Sequence, residues 1–400
     1  MIEQKKIVVF GGGRWARVLL GVFLKNTESS TVYVVHTKHF VAEMRLWAKK
    51  KGFGNRVFIS DAEVDFQSVK YMAAVVANAA PEHKMTASKA IAAKVPVLIE
   101  KPMTPSYADT ADLFAEATLN NTLLSGSWVF LYASYLDNFI KYVENIEDIQ
   151  ELYFNWSDEI AESRYGEVKS FDVATPIFKD ILPHIMSILS KILNSQVYEF
   201  RSCNVSRGGC CLEVKVVISD VTCFLKLERN SSSRQRQIQL LGKRDVQLNF
   251  SIEPGVIYND GEIINADSCW NLSPSPLEKM VKVFLSEVGS TEINQGWESH
   301  LALPVSKLID QIETAYDISL GRWLIKNLNQ KTISMEDMHY FVSELVRGVK
   351  KVPHYISDET IMLYIAVIYG EGFLNTFDNA KKGGLENDLL KFIRNLDIVV

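Results

Sequence analysis

Three groups of residues in this chain have the types and spacing that chemistry needs. The first is Gly11-Gly12-Gly13-Arg14-Trp15-Ala16, a G-x-G-x-x-[GA] pattern lying between an apolar run and a helical one. Gly11 permits a tight turn, Gly13 lets a pyrophosphate approach the backbone, and Ala16 lets the next helix pack close to a sheet. The open N–H groups and positive dipole end of that helix, with Arg14 and Trp15 in its first turn, suit the phosphates of a dinucleotide. The second group centres on Lys101, which follows Val97-Leu98-Ile99-Glu100. A lysine at the carboxyl end of a parallel strand sits where such sheets bind ligands, and its ammonium can stabilise negative charge developing on a substrate oxygen. The third is Asp180 with His184, spaced i,i+4 and therefore on one helix face. His184 can move a proton near neutral pH, and Asp180 can hold its orientation or bind a substrate hydroxyl. On the residues alone, His184 as a structural histidine and Asp180 as a simple cap stay open.

The nucleotide's identity is read at the end of the second apolar run, Val35-His36-Thr37-Lys38-His39. NAD sites usually place a carboxylate there to bind the ribose hydroxyls. None is present; Thr37 can donate a hydrogen bond and Lys38 can supply a charge, so NADP(H) is favoured over NAD(H). The alternative is that Lys38 and His39 are solvated residues starting a helix.

These groups need a scaffold, and the hydrophobic pattern supplies one. Strand-like runs at Ile7–Phe10, Val32–Val35, Val57–Ile59, Ala73–Ala77, Val95–Ile99 and Thr122–Ser125 alternate with helical stretches, among them Arg14–Leu24, one opened by Pro81, and Tyr107–Leu119. Near-continuous apolar strands separated by helices predict an α/β, doubly wound parallel sheet. After about residue 148 the strands follow one another directly: Glu151–Asn155, Leu212–Ile218, Val221–Leu227, Gln237–Leu241 and Val246–Phe250, with helices near Ile177–Leu193, Pro276–Glu287 and His300–Leu320. That predicts an α+β unit with a mostly antiparallel open sheet. Ser334, Asp337 and the apolar run Ile361–Ile368 suggest a helical C-terminal extension. The expected division is residues 1–130 for the dinucleotide, 131–330 for substrate and oligomerisation, and 331–400 for the extension. Arg229–Arg236 reads as a solvated hairpin tip, the alternative being contact with a phosphate or carboxylate on the substrate.

The segment after the fourth strand is more specific than the glycine turn. Asn78-Ala79-Ala80-Pro81-Glu82-His83 precedes a helix and then Val97-Leu98-Ile99-Glu100-Lys101-Pro102. This resembles the Gfo/Idh/MocA family of oxidoreductases, in which an Asn/His turn precedes a strand ending in Glu-Lys-Pro. Asp180-Ile181-Leu182-Pro183-His184 resembles the family's Asp-x-x-x-His, and Ser275-Pro276-Leu277 with Phe284 extends the likeness to roughly residues 5–325. The resemblance implies reversible hydride transfer between nicotinamide and a hydroxyl or carbonyl of a sugar, polyol or nucleotide sugar. It implies Lys101, His184 and Asp180 as catalytic residues and a cis bond before Pro102. It also places Asn78, His83 and Glu100 near the cofactor, His83 as a stabiliser of its turn.

The chain departs from the family at several positions. Ser187 stands where many members have Asp, Leu182-Pro183 replaces a glycine, and Ser127-Trp128-Val129-Phe130 replaces a stretch with Tyr and Arg. Trp128 and Phe130 can form an aromatic wall against a substrate ring or fill an interdomain core. These changes weaken a free-sugar assignment and leave room for a nucleotide sugar or another biosynthetic intermediate. The rival readings are an NADPH-dependent imine or thiazoline reductase, against which Lys101 counts, and a cofactor-binding regulator without turnover.

The totals agree with a soluble enzyme. The 400 residues exceed one ordinary core, and 47% hydrophobic with 23% charged residues is a globular balance. A net charge of -5 gives no reason to expect nucleic acid or an anionic membrane as partner. No run of about 18 apolar residues spans a bilayer, and Met1–Lys6 passes straight into a strand; a cytoplasmic location is expected. Five cysteines without a C-x-x-C pair predict buried free thiols and no metal site. An open apolar sheet face predicts a homodimer or tetramer.

Overall fold

The computed structural model of the chain describes residues 4–143, 149–159, 162–164, 167–168, 175–288, 290 and 296–330. The expected C-terminal extension lies outside these residues. Six short strands form a parallel sheet: β1 (Lys6–Phe10), β2 (Val32–His36), β3 (Val57–Ser60), β4 (Ala73–Val76), β5 (Val97–Ile99) and β6 (Leu124–Gly126). Their spatial order is β3-β2-β1-β4-β5-β6. The chain direction of assembly reverses between β1 and β4, the switch point at which such sheets bind ligands. Helices α1 (Arg14–Asn26), α2 (Val41–Lys50), α3 (His83–Ala92) and α4 (Tyr107–Leu119) make the crossovers. Helix α1 forms because Ala16, Leu19, Leu20, Phe23 and Leu24 recur at helical spacing and are buried together. Helix α4 starts where the Ser106 hydroxyl accepts from the Asp109 N–H.

After α5 (Ser134–Val143), the second sheet starts with β7 (Glu151–Glu159) and is followed by the two-residue strands β8 (Ser163–Arg164) and β9 (Glu167–Val168), which pair only with each other. Helix α6 (Ile177–Ile192) precedes β10 (Tyr198–Ser206), β11 (Cys211–Ile218), β12 (Val221–Ser231) and β13 (Gln235–Leu241). Strands β14 (Asp245–Asn249), β15 (Val256–Asn259) and β16 (Glu262–Asn265) complete the sheet, before α7 (Pro276–Val288) and α8 (Gly296–Gln330). The order is β10-β11-β12-β7-β13-β14-β15-β16. The α/β class and the mostly antiparallel second sheet match the expectation, with one exception: β7 runs parallel to β12. That pairing arises because β7 enters the sheet from the first layer and lies between the hairpin β11–β12 and the meander β13–β16. Strands β10, β15 and β16 and helices α2 and α5 escape the pattern reading, and α8 is longer than the His300–Leu320 run. Cys210, Cys211 and Cys223 are buried free thiols, but Cys269 is exposed.

The two layers share one core. Val8, Val76 and Ile99 of the parallel sheet, Trp128 and Phe130 after β6, Ile181, Ile185 and Ile188 of α6, and Phe154, Leu225 and Ile238 of the second sheet belong to one buried cluster. Helix α7 returns to the first layer, where Phe284 meets Phe23 of α1 edge-on at 6.1 Å. Among the described residues no helix is long and apolar enough to cross a membrane.

Helix α8 is fastened to the end of β6 by Glu298, whose Oε2 accepts from the Gly126 N–H at 3.1 Å and the Trp128 indole N–H at 2.9 Å. Burial pushes this carboxyl up to about 8, against the lowering effect of those hydrogen bonds. The unfolded chain releases that proton near the ordinary carboxylate value and the folded chain holds it until about pH 8. The stability contributed by the neutral carboxyl is therefore complete below the ordinary value and lost as pH rises toward 8. The melting temperature of Glu298→Gln should fall less than that of the native chain between about pH 5 and about pH 8 in differential scanning calorimetry. Parallel curves for the two proteins would remove this role from Glu298.

Candidate active site

The glycine turn sits at the switch point. Gly11 has φ +116°, and a side chain there would place its Cβ 2.4 Å from the Ala77 carbonyl oxygen, so the turn after β1 passes hard against the turn after β4. Gly13 differs: its φ is −67°, no atom lies within 4 Å of a Cβ built on it, and no side chain caps α1. The backbone there borders open space at a helix N-terminus, the cradle that a pyrophosphate requires. Ala16 is 1% exposed and lets α1 approach the sheet.

At the end of β2, His36 Nδ1 lies 2.9 Å from the Ala62 carbonyl, and Lys38 is exposed. Thr37 is buried; its hydroxyl accepts from the Phe40 N–H at 3.4 Å and presses on Gly12. Its observed contacts thus shape the glycine turn from behind, a role the sequence reading did not assign. None of His36, Thr37 and Lys38 lines the central cleft.

That cleft, about 480 Å³, opens between the carboxyl ends of the parallel strands and the inner face of the second sheet. Arg14, Trp15, Asn78, His83, Glu100 and Lys101 line it from the first layer. Asn78 donates to Glu82 Oε2 at 2.9 Å and to Thr86 Oγ1 at 3.0 Å, bracing the turn after β4. His83 is 1% exposed and stitches that turn to the next one, with Nδ1 2.9 Å from the Pro102 carbonyl and Nε2 3.1 Å from the Asn78 carbonyl. Burial lowers its basicity, against the raising effect of the surrounding carbonyls, and its place is structural. Glu100 is buried, which raises its pKa; the neighbouring Ser127 and Trp15, the Lys101 charge and the Lys101 backbone N–H, which donates to Oε2 at 3.1 Å, oppose that rise. The Lys101–Pro102 bond is cis.

Lys101 meets α6. Its Nζ lies 2.5 Å from Asp180 Oδ1 and 2.9 Å from the Asp180 carbonyl oxygen, although 79 residues separate the two. One helical turn on, His184 also lines the cleft; its ring is edge-on to Phe130 at 5.1 Å and nearly parallel to Trp156 at 5.7 Å. Ser187, in the place of the family's Asp, donates to the His184 carbonyl at 2.8 Å. Thus Lys101, Asp180, His184 and Phe130 share the cleft with Arg14 and Trp15 of the first turn of α1. Trp128 does not: it is 3% exposed, turned to Glu298 and away from the cleft. Trp156 and Trp270 take its place in the aromatic wall with Phe130.

The expected hairpin tip at Arg229–Arg236 is a correction. Arg229 and Arg236 are 3% and 1% exposed. Arg229 reaches Asp180 Oδ2 at 3.0 Å. Arg236 pairs with Asp158 and lies over the Trp156 ring at 3.8 Å. A signal existed: Arg229 is in phase with Cys223, Leu225 and Leu227 on β12, and Arg236 with Ile238 and Leu240 on β13, so period-two alternation points both inward. The polarity of the stretch concealed it.

Among solved structures, the fold is similar to KijD10, a 3-ketoreductase from Actinomadura kijaniata in complex with TDP-benzene and NADP, in its open conformation: TM-score 0.63, 17% identity, covering 78% of this chain and 98% of that one. UDP-N-acetylglucosamine 3-dehydrogenase GnnA from Acidithiobacillus ferrooxidans gives TM-score 0.62 and 13% identity, covering 79% and 98%. A putative oxidoreductase from Magnetospirillum magnetotacticum gives 0.57 and 15%, covering 77% and 99%. At these identities the likeness is one of fold. No curated protein sequence matches the chain significantly. Residues 5–126 match the family GFO_IDH_MocA, described as an oxidoreductase family with an NAD-binding Rossmann fold. With the glycine turn, the switch point and the Glu100-Lys101-Pro102 turn all inside the matched residues, the chain carries the NAD(P)-binding Rossmann domain of the Gfo/Idh/MocA oxidoreductases.

Proposed function

We propose that the protein is an NADP-favouring oxidoreductase acting on a carbonyl or hydroxyl carbon of a sugar-like ring, most simply a nucleotide sugar. The observation that carries this reading is the meeting of Lys101, Asp180 and His184 in one cleft with Arg14 and Trp15, the residues that follow Gly13. Gly13 and the uncapped N–H groups at the start of α1 would hold the pyrophosphate of the cofactor. When bound, the nicotinamide gives or takes the hydride. Lys101 Nζ hydrogen-bonds the substrate oxygen and stabilises the negative charge that grows on it during reduction. His184 delivers the proton to that oxygen, or removes it in the oxidative direction, at Nδ1 or Nε2. Asp180 orients Lys101. Trp156, Trp270 and Phe130 present ring faces to an apolar sugar face and exclude water from the reacting oxygen. The absence of a carboxylate across Val35–His39 supports NADP over NAD. The 3-ketoreductase and nucleotide-sugar dehydrogenase among the similar structures support the substrate class.

The second sheet supports a further part of this reading, self-association. On the face away from α6, Tyr153 stacks on Phe224 at 4.9 Å and Lys215 lies over the Phe224 ring. A homodimer or tetramer joined there should appear in light scattering; a monomer at micromolar concentration would remove it.

Two substitutions test the site. Gly13→Val meets no neighbour and no forbidden φ, so its melting temperature should stay near that of the native chain while NADPH fluorescence enhancement is lost; retained NADPH binding would displace the nucleotide from this turn. Lys101→Ala should lower turnover by about two to four powers of ten with a UDP- or dTDP-linked ketosugar and NADPH. An unchanged rate refutes the role given to Lys101, and no NADPH oxidation across a panel of such ketones by the native protein favours a regulator.

A further inference from the structure

We propose that Arg229 is a positioning residue for Lys101: by sharing the Asp180 carboxylate it keeps the lysine ammonium from being locked into a one-to-one ion pair. The inference rests on the role proposed for Lys101 and extends it to a residue outside the lining of the cleft.

The geometry is a carboxylate between two cations. Asp180 Oδ1 is 2.5 Å from Lys101 Nζ, and Asp180 Oδ2 is 3.0 Å from Arg229 Nη2. Arg229 Nη1 also donates to the Thr175 carbonyl at 2.9 Å, just before α6. The guanidinium is thereby fixed at both ends, and it fixes the plane of the carboxylate.

The strand is built to deliver it. Between Glu228 and Ser231, β12 spends one residue more than β7 does between Ser157 and Glu159. Asn230 takes φ +53° in that bulge. The bulge lies at the end of the strand, where Arg229 keeps the phase of Cys223, Leu225 and Leu227 and so faces inward. The backbone of Arg229 still donates to the Cys210 carbonyl at 2.8 Å, so the residue remains part of the sheet. Burying a guanidinium costs far more than continuing the Val221-Cys223-Leu225-Leu227 alternation with another apolar residue, unless its charge is used.

The physical effect has a sign. With Arg229 present, Asp180's negative charge is divided between two partners, and Lys101 leaves its ion pair at modest cost when a substrate oxygen arrives. Without it, more of that charge falls on Lys101, the pair tightens, and the amine becomes less available. A tether that only held the start of α6 through Thr175 would not change the amine's availability in a chain that stays folded.

Competitive labelling with acetic anhydride, read by mass spectrometry at Lys101 and normalised to the exposed Lys38, measures this without substrate or cofactor. Arg229→Met and Arg229→Gln should acetylate Lys101 about two- to fivefold more slowly than the native chain, and Arg229→Lys should restore the rate. Gln keeps a hydrogen bond to Asp180 without the charge, so it decides the matter if Met fails to fold. Equal or faster labelling in the folded neutral variants overturns the inference. The Lys101→Ala turnover assay decides the underlying reading separately: a large loss there with unaltered labelling in the Arg229 variants sinks only the positioning role.

Discussion

The Asp180 carboxylate receives cations from two layers of the molecule: Lys101 from the carboxyl end of β5, 79 residues away, and Arg229 from the inner face of the second sheet, 49 residues away. Such a cluster is stable away from bulk water only if every charge is met with good geometry, because desolvation otherwise exceeds the Coulombic return. Much of the surrounding structure meets that demand. His83 ties the Lys101–Pro102 turn to the turn after β4, so the lysine stem starts from a fixed point. Helix α6 is held toward its start by Lys179 on Glu313 of α8, and near its end by Lys191 on the Leu131 carbonyl, each at 2.6 Å. Asp180 and His184 therefore cannot slide along the cleft independently of either sheet.

The fold was legible because its signals are local. Continuous apolar runs such as Ile7–Phe10 and Ala73–Val76 are buried on both faces, and Gly11 and Pro102 mark backbone conformations that few other residues adopt. Lys101, Asp180 and His184 were legible as motif positions, each set by its place at a strand end or on a helix face. What sequence pattern could not give is pairing. The parallel placement of β7 against β12 depends on two segments more than 60 residues apart, and no local periodicity encodes it. Trp128 and Trp156 are both buried aromatics, and only the position of Glu298 on α8 decides that Trp128 turns from the cleft while Trp156 faces it. Thr37 was read from its donor chemistry, whereas its contacts with Gly12 and Phe40 follow from the crossing of β2 behind the glycine turn.

The site's location on the second sheet follows from a gradient along its strands. The inward-facing residues of β7 run Leu152, Phe154, Trp156, Asp158; those of β12 run Leu225, Leu227, Arg229; those of β13, read backwards, run Leu240, Ile238, Arg236. Each series begins in the shared apolar core and ends in charge at the same edge. Strand register makes the ends coincide: Arg236 pairs directly with Trp156, and Leu227 does so from the other side. The edge that gathers Asp158, Arg229 and Arg236 is the one that α6 crosses with Asp180 and His184. A sheet whose inner face were apolar throughout would bury α6 equally well but bring no guanidinium to Asp180. The charges at the strand ends are what convert a packing surface into one side of the central cleft, and they do so at positions where the alternation of the strands alone would have continued the core.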